Sequence, residues 1–144
     1  MTTLKLRHGS YCLLIDLQGK MIIAENTGAI IGGGIEDGET VIQACIREVQ
    51  EETNGQIIIN KSKLKFFKEV IYYSERRPDF DWDGKNMQIF VYLIDQSDFV
   101  DFEYYNVEKG GTDKIAWMSF DNFFEGNKRI ERSELEEFLN QNPN

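Results

Sequence analysis

The segment Gly32–Gly55, GGGIEDGETVIQACIREVQEETNG, decides how this chain folds, because its pattern changes period half-way along. As far as Glu39 it is glycine-rich and acidic. From Thr40 onward the apolar residues Val41, Ile42, Cys45, Ile46 and Val49 recur at helical spacing and fall in one arc of a helix advancing about 100° per residue. Thr40 followed three residues later by Gln43 is a capping-box signature and predicts the helix start. Asn54 and Gly55 are the residue types that enter the left-handed region most readily, so the helix is expected to stop near Thr53. Beside the apolar arc lie Glu48, Glu51 and Glu52, three carboxylates along one edge. Ala44, one turn before Glu48, leaves room there.

Working outward, SYCLLIDL (10–17) and KMIIAEN (20–26) are apolar runs separated by the turn-like QGK, which reads as a hairpin feeding a buried sheet. AIIGGG follows, and GGGIEDGE (32–39) is read as a glycine-rich turn immediately ahead of the helix, where backbone N–H groups can approach an anion. Beyond the helix, QIIIN (56–60), LKFFKEVIYYS (64–74), NMQIFVYLID (86–95) and KIAWMSF (114–120) are rich in β-branched and aromatic residues and predict strands. Ser133 and Glu136 form a second capping-box signature for a terminal helix with Leu135, Phe138 and Leu139 on one face. Strands pair locally more than they alternate with helices. The expected class is therefore α/β with a mixed sheet flanked by helices, not a doubly wound parallel one. With 144 residues, 41% hydrophobic, only two prolines and no repeat or low-complexity run, a single domain over 1–144 is expected.

Charge narrows the function. The chain carries 25 acidic against 16 basic residues, a net charge of −9, which argues against a nucleic-acid polymer as partner. A small phosphorylated ligand fits only with a bridging divalent cation. No apolar run approaches the roughly 18 residues of a membrane span, and MTTLKLRHGS lacks the apolar centre of a signal peptide, so a cytoplasmic location is expected. Cys12 and Cys45 read as buried small hydrophobes. His8 is the only histidine, which leaves no material for a histidine triad or a zinc site. Asp79, Asp81, Asp83 and Gly84 imitate the first half of a calcium loop, but its twelfth position is Phe90 and its flanks read as strands. Arg76 and Arg77, near Tyr72, Tyr73 and Pro78, are either a lip over the ligand or an ordinary charged loop.

Three glutamates on one helix edge repel one another and oppose the helix dipole near its C-terminal half, at a few tenths of a kcal/mol for each pair. Mg2+ is the natural compensator, since it takes oxygen ligands and bridges carboxylates to phosphates. Gly33, Glu39, Arg47, Glu48, Glu51 and Glu52, with Val49 at an aliphatic site, have the spacing G-x(5)-E-x(7)-R-E-U-x-E-E-x-G-U, where U is a bulky aliphatic. This pattern resembles the Nudix box.

The resemblance implies an α/β/α sandwich and Mg2+- or Mn2+-dependent hydrolysis of a nucleoside diphosphate linked to another moiety. It implies Glu48, Glu51 and Glu52 as metal ligands, with Glu51 or Glu52 acting on the attacking water. Arg47 is implied to hold the glutamates by ion pairing, with Glu39 its candidate partner, and Gly33, Gly34 and Glu39 are expected near the bound ligand. Glu103, Glu108 and Asp113 are candidates for a further acid, with Glu108 preferred. Three positions depart from the family pattern: its closing glycine falls on Asn54 and the next aliphatic on Gly55, and Gly32 replaces its usual proline. A nucleoside triphosphate is the first substrate expectation, with ADP-ribose, dinucleoside polyphosphates and nucleotide sugars open, and homodimerisation is left open too. The rival readings are a nucleotide-binding regulatory protein on the same fold and a non-catalytic acidic domain whose helix binds protein partners.

Overall fold

The computed structural model describes residues 5–18, 20–25, 28–73, 83–94 and 115–142. Its centre is strand β1 (Leu6–Asp16), in which Cys12, Leu13, Leu14 and Ile15 are all fully buried. Successive strand residues point to opposite faces, so a strand buried at four consecutive positions must have a packed layer on each side.

The described strands after it are β2 (Met21–Glu25), β3 (Ile31–Gly34), β4 (Lys65–Tyr73), β5 (Gly84–Leu93) and β6 (Ile115–Ser119). They form one sheet in the order β4-β5-β1-β2-β6. β5 runs parallel to β1 along Leu6–Ile15. The other edge of β1 is shared: β3 pairs with Gly9–Cys12 and β2 with Leu14–Asp16, both antiparallel. The remaining ladders, β2 with β6 and β4 with β5, are antiparallel as well, so the sheet is mixed as expected.

Helix α1 (Val41–Glu52) covers one face. Its Cys45 and Val49 join Cys12, Leu14, Ile23, Ile31, Phe90 and Tyr92 in one core cluster. On the opposite face Leu13, Ile15, Ile22, Ile89 and Val91 pack with α2 (Phe120–Gly126) and α3 (Arg132–Gln141) through Phe120, Phe123, Leu135 and Leu139. Full burial of each such aliphatic or aromatic side chain contributes about 1.5–3 kcal/mol before entropy is counted. The architecture is an α/β/α sandwich. Among the described residues no helix is long and apolar enough to cross a membrane.

Both ends of α1 behave as the sequence predicts. The Thr40 hydroxyl accepts from Gln43 N at 3.1 Å and the Gln43 side chain accepts from Thr40 N at 2.9 Å. At the other end Asn54 and Gly55 both have positive φ, 51° and 78°. Gly55 N donates to Gln50 O at 2.7 Å and Asn54 N to Glu51 O at 3.2 Å. These are the two bonds of a Schellman closure, with asparagine in the left-handed position usually held by glycine.

Two local expectations are corrected and one element is added. QIIIN is not a strand: Ile57 and Ile59 are buried and Ile58 exposed, yet Ile57 N donates to Thr53 Oγ1 and Asn60 N to the Tyr92 hydroxyl. Those side-chain acceptors take the place of ladder bonds. The terminal helix starts at Arg132, two residues before the position that the Ser133/Glu136 signature implies. Glu134 accepts from Glu131 N and also binds Lys68 at 2.8 and 2.9 Å, while Ile130 and Leu135 occupy the staple positions around that start and share one core. Finally, α2 itself is an addition. Its signal is Ser119, whose side chain accepts from Asn122 N at 3.2 Å, followed by Phe120, Phe123 and Phe124 at helical spacing.

Candidate active site

The triple glycine lies in β3, paired with β1, and is not the open turn read from the sequence. Pairing brings the strand so close to its neighbour that a side chain has no space. At Gly32, where φ is +152°, a Cβ would lie 2.3 Å from Ser10 O and 2.6 Å from Tyr11 Cα. At Gly33 the obstacle is different: a Cβ would lie 2.7 Å from Glu48 Oε1 and 2.9 Å from Glu48 Cδ. Gly33 is therefore the floor on which the Glu48 carboxylate rests. The buried Ala44, one turn earlier on α1, leaves that space clear.

Arg47 organises the acids around this floor. Its Nε and Nη2 donate to the two carboxylate oxygens of Glu39 at 2.6 and 3.0 Å, a bidentate fork. Nη1 donates to Glu48 Oε1 at 3.0 Å and Glu51 Oε2 at 3.3 Å, and Nη2 also donates to Gly34 O at 3.0 Å. Glu36 stands 3.8 Å away. One guanidinium thus ties the helix to the end of β3 and to the connecting loop. The Arg47–Glu39 pairing expected from the sequence is present.

Electrostatics follow from these contacts. The Arg47 hydrogen bond holds the Glu39 carboxyl below its ordinary range, helped by Glu36 N. The same Glu39 bond is the chief reason that Arg47 is raised, although desolvation opposes it. Glu48 is raised, first because burial penalises its charge and further because Glu51 and Glu52 lie close, while Arg47 pulls the other way. Its side chain is only 12% exposed, whereas that of Glu51 is 59% exposed. The ridge therefore runs from a dehydrated carboxylate to a solvated one.

Two depressions flank the ridge. One, of about 440 Å3, is lined by Arg7, His8, Gly34, Ile35, Glu36 and Glu48. The other, of about 610 Å3, is lined by Arg47, Gln50, Glu51, Asn54 and Gly55. A carboxylate ridge between two open hollows, over a glycine strand and clamped by an arginine, is the three-dimensional form of the spaced pattern in Gly33–Glu52. The pattern for the NUDIX domain matches residues 5–139. The chain belongs to the Nudix family.

The enzyme class read from the box stands with that membership. Solved Nudix-fold structures align over nearly the whole chain at low identity. A MutT protein from Methanosarcina mazei Go1 is 16% identical with a TM-score of 0.58, covering 100% of both chains. The dihydroneopterin triphosphate pyrophosphohydrolase of E. coli is 16% identical with a TM-score of 0.64, over 98% of this chain and 100% of that one. An Ap4A hydrolase from C. elegans is 16% identical with a TM-score of 0.56, over 94% and 95%. No curated protein matches the sequence.

Against the Nudix box, the structure brings together Gly33, Gly34, Glu39, Arg47, Glu48 and Glu51 through the contacts above, with Glu52 close enough to raise Glu48. Glu103, Glu108 and Asp113 lie outside the described residues, as do Arg76 and Arg77. Gly34, expected near the bound ligand, serves through its carbonyl oxygen, which accepts from Arg47 Nη2. One participant escaped the sequence reading. Arg7 lines the groove beside Glu48, and its only signal is a cation near the start of β1, ahead of the apolar run Cys12–Ile15.

The donor set fits a hard divalent cation: carboxylate oxygens only, one of them dehydrated and repelled by two neighbours. Among the described residues no group of three acids closes into a cage. A hard divalent ion such as Mg2+ or Mn2+ keeps several waters and takes one or two carboxylates together with substrate phosphates.

Proposed function

We propose that this Nudix chain hydrolyses the diphosphate linkage of a nucleoside diphosphate joined to another moiety, with a nucleoside triphosphate as the first candidate. The observation that carries the reading is the Glu48 carboxylate seated on Gly33 and tied by Arg47 to its neighbours. Glu48, Glu51 and Glu52 would hold Mg2+ or Mn2+. When bound, the ion supplies positive charge opposite the diphosphate and polarises the attacking water.

The chain's own groups do the rest. Arg47 fixes where Glu39, Glu48 and Glu51 stand, so little reorganisation is needed when the ligand arrives. The diphosphate lies in the groove bordered by Arg7, His8 and Glu48, with the Arg7 guanidinium as a counter-charge. Water attacks one phosphorus in line with the bridging oxygen. A new P–O bond forms, the bridging P–O bond breaks with its electron pair leaving on the departing phosphate, and the water's proton passes to Glu51 or Glu52. Glu108 as a further acid, the cytoplasmic location and the small-nucleotide partner rest on the sequence alone.

The test is a screen of nucleoside triphosphates, ADP-ribose, dinucleoside polyphosphates and nucleotide sugars with Mg2+ or Mn2+, reading released phosphate and pyrophosphate. Chelator-sensitive release from at least one of them is the expected result. Tight nucleotide binding with no release from any would instead favour a regulatory protein.

A further inference from the structure

The sheet beside the glutamate ridge carries a built polar network that the hydrolytic step leaves unused. Strand registers align Gly33 with Ser10, Ser10 with Gln88 and Gln88 with Glu69, one row across β3, β1, β5 and β4. The row faces the α1 side. Gly33 lies under Glu48, Ser10 Oγ donates to Val41 O of α1 at 2.8 Å, and Gln88 is two residues from Phe90, which belongs to the α1-side core. Three strand spacings separate Gly33 from Glu69, roughly 14 Å. That span is comparable with the reach of a nucleotide from its diphosphate to the far edge of its base.

At the far end the side chains hold one another. Asn86 Nδ2 donates to Glu69 Oε2 at 3.1 Å and Gln88 Nε2 donates to the same oxygen at 2.5 Å. Gln88 Nε2 also donates to Asn86 Oδ1 at 2.7 Å. Asn86 is buried, and His8, its register partner on β1, lies in the groove beside Glu48. The α1-side face of β5 thus changes from the core residues Tyr92 and Phe90 to the amides Gln88 and Asn86, along the path from the ridge. Ile71, opposite Asn86 on β4 and 45% exposed, adds apolar surface to the same patch.

The network spends three of its four amide N–H groups internally, the fourth belonging to the buried Asn86, and offers acceptors. Among the described residues both bonds to Glu69 land on Oε2, which leaves Oε1 to accept, and the Gln88 amide oxygen is a second acceptor. The amide bonds also keep the Glu69 carboxyl below its ordinary range and hence ionised. A ligand edge that suits it must be rich in N–H donors.

We propose that Glu69, positioned by Asn86 and Gln88, reads the base of the bound nucleotide and selects a purine with an adjacent ring N–H and exocyclic amino group, as in guanine. This rests on the reading of the chain as a nucleotide hydrolase. Guanine presents two donors side by side, for the open Glu69 Oε1 and the neighbouring Gln88 amide oxygen. Adenine presents an amino donor beside an acceptor nitrogen, which sets one lone pair against another. A site built to pair a donor rejects the analogue that lacks it by about tenfold or more.

The experiment is calorimetric titration of GMP and of AMP, with Mg2+ present, into the full chain, for wild type and Glu69→Gln. Glu69 is exposed, so the variant should fold, and its thermal unfolding is recorded alongside. GMP is expected to bind at least about tenfold more tightly than AMP, and Glu69→Gln to lose that preference. Equal affinity for the two, binding of neither at millimolar concentration, or a preference unchanged in Glu69→Gln overturns the proposal. Monophosphates contain no anhydride bond, so this result is independent of turnover. Hydrolysis without base preference removes only the base-reading role, and base preference without hydrolysis removes only the proposed reaction.

Discussion

Replacing Gly33 by alanine should separate activity from stability. The new Cβ would stand 2.7, 2.9 and 3.0 Å from Oε1, Cδ and Oε2 of Glu48. Ordinary non-bonded contact needs the carboxylate to withdraw by on the order of 0.5–1 Å. The atoms in the way are the end of a side chain, so the fold should lose less than about 1 kcal/mol. The carboxylate nevertheless leaves the position that Arg47 and the glycine floor define. A displacement of this size in a positioned catalytic group costs about 10–100-fold in turnover. Gly32→Ala is the contrasting case: its Cβ meets backbone atoms at 2.3 and 2.6 Å at a φ of +152°, so nothing flexible can yield. It should cost about 3 kcal/mol or more, a fall of roughly 10 °C in Tm. The assay is thermal unfolding and kcat/KM of both variants on the best substrate from the screen. Wild-type turnover in Gly33→Ala, or destabilisation equal to that of Gly32→Ala, would refute the cradle.

Arg47→Lys keeps the charge but loses the fork to Glu39 and the bonds to Glu48 and Gly34, and should cost about 1–2 kcal/mol in urea unfolding together with a clear loss of kcat. Thr53→Val removes a buried hydroxyl that donates to Val49 O and accepts from Ile57 N, and should cost about 1–2 kcal/mol with little change in KM. The Lys68 bond is the main reason that Glu134 sits below its ordinary 4.5. A carboxyl lowered by folding contributes stability above its unfolded pKa and loses it as pH falls through the folded one. The stability difference between wild type and Lys68→Met should therefore be constant near neutral pH and shrink below 4.5, as read by unfolding midpoints across pH.

The legible parts of this chain are those where local chemistry and tertiary structure demand the same residue. The apolar arc of α1, its Thr40–Gln43 cap and its Asn54–Gly55 closure are of that kind. So is the Arg47–Glu39 pair, whose eight-residue separation belongs to the box. What escaped is set by partners distant in sequence. QIIIN has strand composition, yet its Ile57 and Asn60 donors go to Thr53 and Tyr92, which no local pattern reveals. The start of α3 moved to Arg132 because Glu134 gains Lys68, 66 residues away. The glycines suggested an open turn, and only the β1–β3 register shows that they make space for Ser10, Tyr11 and Glu48. The row from Gly33 to Glu69 likewise exists only through three separate registers.

The most direct test of the account is Mn2+ binding followed by electron spin resonance, with and without a non-hydrolysable nucleotide, for wild type, Glu48→Gln and Glu52→Gln. The account predicts saturable binding that Mg2+ displaces and that each substitution weakens at least about tenfold. Equal binding in all three proteins, or none in wild type even with nucleotide present, would contradict it.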